Sequence, residues 1–138
     1  MAVGIDIQLI DEVEDSLVRF GDRYLRRLCT GLELGEFEND HVNLAENLAL
    51  RFAAKEAVIK ALRPDDHIPP WRSIEILLRP HDGPRVVLSG EAHEFAHLSG
   101  VERICLSASL GRGYAIATVV ADVAKIGPQK YLEAPSLG

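Results

Sequence analysis

The sequence predicts an α+β protein in which a long central helix packs on a small antiparallel sheet. The first observation is residues 48–62, LALRFAAKEAVIKAL, which are rich in strong helix formers. The second is the change from helical to strand-like patterns after Trp71. The third is the total of 138 residues, with 47% apolar and 26% charged residues. These values suit one globular domain, expected over residues 1–121, with a C-terminal tail over residues 122–138.

Residues 3–10 predict the first strand, in which Val3, Ile5 and Ile7 alternate on one face. Asp6 lies among them, although aspartate is depleted in strands. An acid inside an apolar run needs a partner. Asp6 is therefore either a strand-end residue solvated by water or a ligand of a metal or substrate.

Residues 11–28 predict a helix with an acidic start and a basic end, the order that complements the helix dipole. Gly21 weakens its middle, so two short helices are the alternative. Thr30 and Glu33 fit a capping box at the start of another short helix that runs through Phe37.

The central helix is expected to start near Leu44 and to end at Pro64. Lys55 falls in its apolar stripe, where a hydrophobic residue would be expected. Glu56 and Lys60 are four residues apart and therefore share a face. The helix thus packs closely on one side and presents grouped charges.

Strands are expected over residues 73–78, 85–88, 103–109 and 114–121. Turns at residues 81–84 and 111–113 join them in pairs, and a short helix lies within residues 89–100. Residues 122–138 contain two prolines and predict a loose tail.

The formal net charge of −6, without a basic cluster on one face, argues against a general nucleic-acid binder. Two isolated cysteines, Cys29 and Cys105, predict reduced thiols rather than a disulfide framework. The N-terminal residues are not typical of a signal peptide, and no apolar run in the sequence is long enough to span a membrane. We therefore expect a cytoplasmic protein without a membrane partner.

His93-Glu94-Phe95-Ala96-His97 matches the HExxH pattern of zinc hydrolases. In such enzymes the two histidines bind zinc and the glutamate is the general base. No histidine follows to supply a third ligand. The alternative is a surface helix with Phe95 and Leu98 facing inward.

Asp6 and Glu56 could form a carboxylate pair if the fold joins the first strand to the central helix. Two close carboxylates repel unless a cation lies between them. Mg²⁺ suits such a pair, because it binds one or two carboxylates together with substrate phosphates. Arg51, Lys55 and Lys60 would supply positive charge for those phosphates, a set of groups typical of phosphoryl-group chemistry.

Two segments resemble the paired signature of the 4′-phosphopantetheinyl transferases. They are Gly4-Ile5-Asp6-Ile7 and the helical segment RFAAKEAVIKAL at residues 51–62. The chain length, the segment WRSIE at residues 71–75 and the final SAS…YAIATVV resemble the short holo-acyl-carrier-protein synthase type. The resemblance implies that fold, and it extends from about Val3 to Val120.

The resemblance implies transfer of the 4′-phosphopantetheine arm of coenzyme A to a serine of an acyl or peptidyl carrier protein, releasing adenosine 3′,5′-bisphosphate. Asp6 and Glu56 would be the Mg²⁺ ligands. Lys60 would contact the phosphates and assist proton transfer, so Glu56 and Lys60 are the expected catalytic residues. Arg51 and Lys55 match basic positions near the coenzyme A phosphates. The short type also implies a homotrimer with active sites between subunits.

Two departures from the family pattern stand out. Leu110 occupies the position where family members commonly carry a histidine, a candidate base and phosphate contact. The segment that usually docks the acidic carrier protein is itself acidic at Asp11 and Glu12, and only Arg19 and Arg23 keep a basic character. These departures leave a second possibility open, a non-catalytic relative that binds coenzyme A or a carrier protein.

Overall fold

The structure is a computed structural model that describes residues 1–38, 43–63 and 67–124. It contains the strands and helices of the predicted α+β fold. In chain order they are β1 (Ala2–Leu9), α1 (Ile10–Phe20), α2 (Asp22–Leu28), α3 (Gly31–Glu38), α4 (Leu44–Leu62), β2 (Ile74–Arg79), β3 (Gly83–Leu88), α5 (Gly90–Leu98), β4 (Val101–Leu110) and β5 (Tyr114–Val123).

The central helix α4 begins at an N-cap, because the side chain of Asn43 accepts a hydrogen bond of 2.8 Å from the backbone N–H of Ala45. It ends at Arg63, which adopts a left-handed conformation with a φ of 53°. Most of its residues are buried, on more than one face. The helix is therefore the centre of the core rather than an amphipathic surface helix.

The strands form two antiparallel sheets. One has three strands in the order β1-β5-β4, and the other pairs β2 with β3. All the predicted strands and both predicted turns are present. Strand β5 extends to Val123, so Asp122 and Val123 belong to the sheet and not to the predicted tail. Residues 125–138 of that tail lie outside the described residues.

Gly4 brings β1 unusually close to α4. A Cβ atom at this position would lie 1.9 Å from the carbonyl oxygen of Ala57. Ala53, Ala57 and Ala61 keep the facing side of the helix small, and all three are buried. The backbone of the first strand therefore rests directly on the middle of α4, which brings Asp6 beside that helix.

The two faces of β1 have opposite surroundings. Gly4 and Asp6 face α4 and are buried, whereas Val3, Ile5 and Ile7 are between 46% and 57% exposed. The predicted apolar face of β1 is thus present, but it is exposed to solvent. In the neighbouring strand, Ile116 lies opposite Ile7 in the register and is also exposed.

The helical first half agrees with the sequence in detail. Gly21 divides the predicted helix into α1 and α2 with a φ of 54°, which favours glycine. The capping box at α3 is reciprocal, with Thr30 N–H donating to Glu33 Oε1 at 2.9 Å and Glu33 N–H donating to Thr30 Oγ1 at 3.3 Å. Within the described ranges, no helix is long and apolar enough to cross a membrane.

Candidate active site

The contact between β1 and α4 brings together Asp6 and Lys60, which are 54 positions apart in the sequence. The ammonium of Lys60 donates to Asp6 Oδ1 at 2.9 Å and to the backbone carbonyl of Ile5 at 3.0 Å. The Asp6 side chain is 11% exposed, while that of Lys60 is 53% exposed. The carboxylate is therefore held in place, and the ammonium lies at the boundary with solvent.

Glu56 lies one turn before Lys60 on the same helix and is partly buried. Burial raises the pKa of its carboxyl group, and the nearby Asp6 carboxylate raises it further, while Lys60 lowers it. The carboxylates of Asp6 and Glu56 are thus close enough to repel each other. The structure brings the predicted carboxylate pair and Lys60 to one place.

Gln8 is a member of this group that the sequence reasoning missed. Its side-chain amide donates to Asp6 Oδ2 at 2.7 Å. The sequence could have indicated that Gln8 lies beside Asp6, because residues two apart on a strand project from the same face. Gln8 therefore occupies the second oxygen of the aspartate and orients its carboxylate.

The donor set fits a hard divalent cation. Two carboxylates on neighbouring elements supply oxygen ligands, and Mg²⁺ commonly takes one or two carboxylates and completes its shell with water and phosphate. No group of three or more His, Cys, Asp or Glu residues able to hold a metal occurs in the described parts of the chain. The chemistry of Asp6 and Glu56 therefore suits Mg²⁺ shared with a phosphate ligand better than an all-protein metal cage.

Lys55 lies in a different environment from the phosphate-binding position expected for it. Its side chain is 1% exposed. The ammonium donates to Glu33 Oε1 at 2.8 Å, to the carbonyl of Trp71 at 3.0 Å and to the carbonyl of Leu28. All three of its donors are used inside the protein. In this structure Lys55 joins α4 to the end of α2, to α3 and to the segment before β2.

Arg51 is also directed into the core and not toward an open phosphate site. Its guanidinium donates to Glu36 Oε1 at 2.6 Å and to the side-chain oxygen of Asn47 at 3.0 Å. It also lies over the ring of Phe37, 4.5 Å from the ring centroid. Glu36 in turn accepts from the backbone N–H of Leu78. Arg51 therefore fastens α3 to α4 and, through Glu36, to β2.

Leu110 lies in the same row of the sheet as Gln8. Ala115 of β5 pairs with Gln8 on one side and with Leu110 on the other. Directly paired residues of antiparallel strands project from the same face. Leu110 therefore lies on the Asp6 side of the sheet, two strands away, and it is 38% exposed. The position at which the resemblance implies a histidine thus shares a sheet face with Asp6, two strands away, and carries no titratable group.

The HExxH segment lies elsewhere. His93 and His97 are exposed on α5 and line a cavity of about 280 Å³ together with residues of β3 and β4. The described residues give these two histidines no third ligand in a metal cluster. Phe95 is half-buried and packs against the core, but Leu98 is 75% exposed. The arrangement agrees with a surface helix, although only Phe95 of the two residues expected to face inward does so.

Arg19 and Arg23 are exposed near the junction of α1 and α2. Arg23 borders a cavity of about 500 Å³ between these helices, α4 and the segment before β2. The other lining residues are mostly aromatic or basic: Ser16, Phe20, Tyr24, Arg27, Leu28, Phe52 and Trp71. This surface combines an apolar floor with positive charge at its edge.

Comparisons with known proteins identify the family of the chain. Residues 2–119 match the family model of the 4′-phosphopantetheinyl transferase superfamily. The holo-[acyl-carrier-protein] synthase of Koribacter versatilis is 36% identical over 121 residues, which cover 87% of this chain and 96% of that protein. The enzyme of the same name from Vibrio cholerae is 40% identical over 125 residues, covering 87% of this chain and 95% of the relative.

Solved structures give the same result. The holo-ACP-synthase of Plasmodium yoelii superposes with a TM-score of 0.79 at 27% identity, covering 90% of this chain and 95% of that one. The Helicobacter pylori holo-[acyl-carrier-protein] synthase, solved in complex with coenzyme A, has a TM-score of 0.73 at 29% identity, covering 87% and 99%.

The chain belongs to the 4′-phosphopantetheinyl transferase superfamily. Within that superfamily it is of the short holo-[acyl-carrier-protein] synthase type, as its near-complete coverage of those relatives indicates. The fold and the enzyme class implied by the resemblance are thereby confirmed.

Proposed function

We propose that the protein transfers the 4′-phosphopantetheine group of coenzyme A to a serine of an acyl carrier protein in a Mg²⁺-dependent reaction. Adenosine 3′,5′-bisphosphate is the second product. The observation that carries this proposal is the convergence of Asp6, Glu56 and Lys60 where β1 crosses α4. That the Helicobacter pylori relative binds coenzyme A supports the choice of donor.

In the proposed reaction the serine oxygen of the carrier attacks the β-phosphorus of coenzyme A. A new P–O bond forms to the serine, and the bond from the β-phosphorus to the oxygen bridging the two phosphates breaks. That bridging oxygen leaves with adenosine 3′,5′-bisphosphate. When bound by Asp6 and Glu56, Mg²⁺ would offset the negative charge of the pyrophosphate.

The side chains of the site suit the charges and the proton of this reaction. The ammonium of Lys60 is half-exposed and can contact a phosphate oxygen while charge develops on the leaving group. Burial and Asp6 raise the pKa of Glu56 in the absence of a cation, so the two carboxylates together favour binding of positive charge. Glu56, as a ligand of the cation, and Lys60, as a phosphate contact that assists transfer of the serine proton, are therefore the proposed catalytic residues.

The carrier protein is proposed to dock at the cavity beside α1 and α2. Arg23 borders this cavity, and Arg19 is exposed on the preceding helix. The N-terminal half of α1 is acidic and exposed at Asp11 and Glu12, so it would repel an acidic partner. Docking is therefore proposed toward the basic, C-terminal end of α1 and onto α2.

Self-association is proposed to cover the open apolar face of the three-stranded sheet. Val3, Ile5 and Ile7 of β1 are exposed there, and Ile116 of β5 continues the patch. Contiguous exposed apolar surface of this kind marks an interaction site. The resemblance to the short type makes a homotrimer the proposed assembly. A cytoplasmic location suits its two free thiols, Cys29 and Cys105.

The test is transfer of labelled pantetheine from coenzyme A to a panel of apo acyl and peptidyl carrier proteins in the presence of Mg²⁺. The wild-type protein should label at least one carrier, and Glu56→Ala should lose that activity while keeping its circular dichroism spectrum. The proposal fails if the wild type labels no carrier beyond the Glu56→Ala background.

A further inference from the structure

We propose that Lys60 is a built-in competitor of the divalent cation at Asp6, and that it couples cation binding to coenzyme A binding. The ammonium and the cation are alternative partners of the same carboxylate oxygen. The phosphates of coenzyme A provide the ammonium with another partner and so favour the cation. This inference rests on the proposed function, because it assigns the metal to Asp6 and Glu56.

The geometry of Asp6 gives the first step of the argument. Oδ1 accepts from Lys60 Nζ at 2.9 Å, and Oδ2 accepts from Gln8 Nε2 at 2.7 Å. Both carboxylate oxygens are thus engaged by side chains of this chain. A cation that binds Asp6 must share an oxygen with one of these donors or displace it.

The two donors differ in charge, which decides which of them is displaced. Gln8 is neutral, so its amide can keep its hydrogen bond to one oxygen while the other binds a metal, as hydrogen-bonded carboxylate ligands commonly do. The ammonium of Lys60 repels a divalent cation. Its side chain is 53% exposed, so it has solvent to move into. Lys60 is therefore the partner that gives way.

Charge balance explains the coupling. Asp6 and Glu56 carry two negative charges when ionised, and Lys60 carries one positive charge. A divalent cation added alone leaves the group with a surplus positive charge, which opposes binding. Negatively charged phosphates remove that surplus and draw the ammonium toward themselves. Each ligand therefore improves the binding of the other, and the coupling is reciprocal by thermodynamic linkage.

The experiment measures metal affinity without catalysis. Mg²⁺ is titrated into the full-length protein by calorimetry, and Mn²⁺ binding is followed by electron paramagnetic resonance, each with and without coenzyme A. The Lys60→Gln variant should bind either metal about tenfold more tightly than wild type when coenzyme A is absent. The increase in metal affinity that coenzyme A causes should be smaller in this variant than in wild type.

Two further variants serve as controls. Arg63→Gln removes an exposed positive charge just after the end of the same helix. In the described part of the chain, Arg63 forms neither a hydrogen bond nor an ion pair with Asp6. It should bind metal like wild type. Lys60→Arg keeps the charge at the site and should bind metal no more tightly than wild type.

The inference is overturned if Lys60→Gln binds metal no more tightly than wild type, or if Arg63→Gln strengthens binding equally. The transfer assay is independent of this result. Absence of transfer with tighter metal binding by Lys60→Gln would reject the proposed function alone. Normal transfer with unchanged metal binding would reject the competition alone.

Discussion

The ammonium of Lys55 lies 2.8 Å from Glu33 Oε1, and neither side chain is more than 1% exposed to solvent. Glu33 also accepts from the backbone N–H of Thr30 and, through Oε2, from that of Ile76 at 3.0 Å. The pair thus joins α3, α4 and β2 in the core. Among the described residues, the two charges are compensated by each other and by backbone groups, so loss of one partner leaves a buried charge.

We expect Lys55→Met to lower the free energy of unfolding by about 3–5 kcal/mol, because it leaves the Glu33 carboxylate buried without its cation. Urea unfolding measures this loss. The double variant Lys55→Met/Glu33→Gln should recover part of it. If Lys55→Met were as stable as wild type but bound coenzyme A weakly, Lys55 would instead have the phosphate role that the resemblance implied.

Gly4→Ala should destabilise the protein by about 1–3 kcal/mol, because the added methyl group would lie 1.9 Å from the carbonyl oxygen of Ala57. The strand must then move away from α4 and carry Asp6 away from Lys60. Mg²⁺ affinity should fall together with stability. Gly31→Ala is the matched control, because an added Cβ there meets no atom within 4 Å. Equal stability of the two variants would contradict the close approach.

The raised pKa of Glu56 predicts a pH-dependent stability. Burial and Asp6 favour the protonated carboxyl in the folded state, so the folded protein binds this proton more tightly than the unfolded chain does. The stability from this group is present at low pH and is lost as pH rises through the raised pKa. Glu56→Gln should therefore be more stable than wild type at neutral pH, and this advantage should shrink at acidic pH.

Urea midpoints in the presence of a chelator, measured from about pH 4 to about pH 8, test this dependence. Glu94→Gln, at an exposed position on α5, is the control for removing one negative charge. The assignment to Glu56 does not hold if both variants change stability in parallel at every pH.

Leu110→His should raise the rate of phosphopantetheine transfer by about tenfold or more, because it places on the Asp6 face of the sheet the candidate base that the resemblance implies at this position. The pH–rate profile should then gain a titration with a midpoint at about pH 6.5. Leu110→Gln offers a polar side chain without a titratable nitrogen and should not show it. An unchanged rate and profile for Leu110→His would mean that the reaction does not use a base at this position.

Arg23→Glu should raise the KM for the carrier protein severalfold and leave its kcat nearly unchanged, because it reverses the charge at the edge of the proposed docking cavity. The effect should diminish at high ionic strength. Steady-state kinetics at two salt concentrations measure it. Arg85→Glu, an exposed position on β3, is the control. Equal effects of the two substitutions would remove the docking cavity from consideration.

The sequence was most informative where a local pattern determines structure. It predicted the central helix, the break at Gly21, the capping box of Thr30 and Glu33, and the strands of both sheets. These features depend on spacing, helix propensity and turn residues within a few positions.

The sequence was least informative where the partner is distant. Lys55 and Glu33 are 22 residues apart, and Arg51 and Glu36 are 15 apart. Spacing alone cannot distinguish a buried ion pair from a charge that faces a ligand. Nor could alternation along β1 determine which face is covered, because both of its faces have a regular pattern and only packing on α4 selects one.

The eight residues of β1 carry two unlike surfaces at once, separated only by the alternation of the strand. A slip of one position against β5, whose register places Asp6 opposite Ala117, would turn Asp6 outward and press Ile5 or Ile7 against the helix. An error in strand pairing would then disrupt the candidate active site and the exposed apolar face together. Because one register determines both faces of β1, a shifted pairing cannot preserve one face while it disturbs the other.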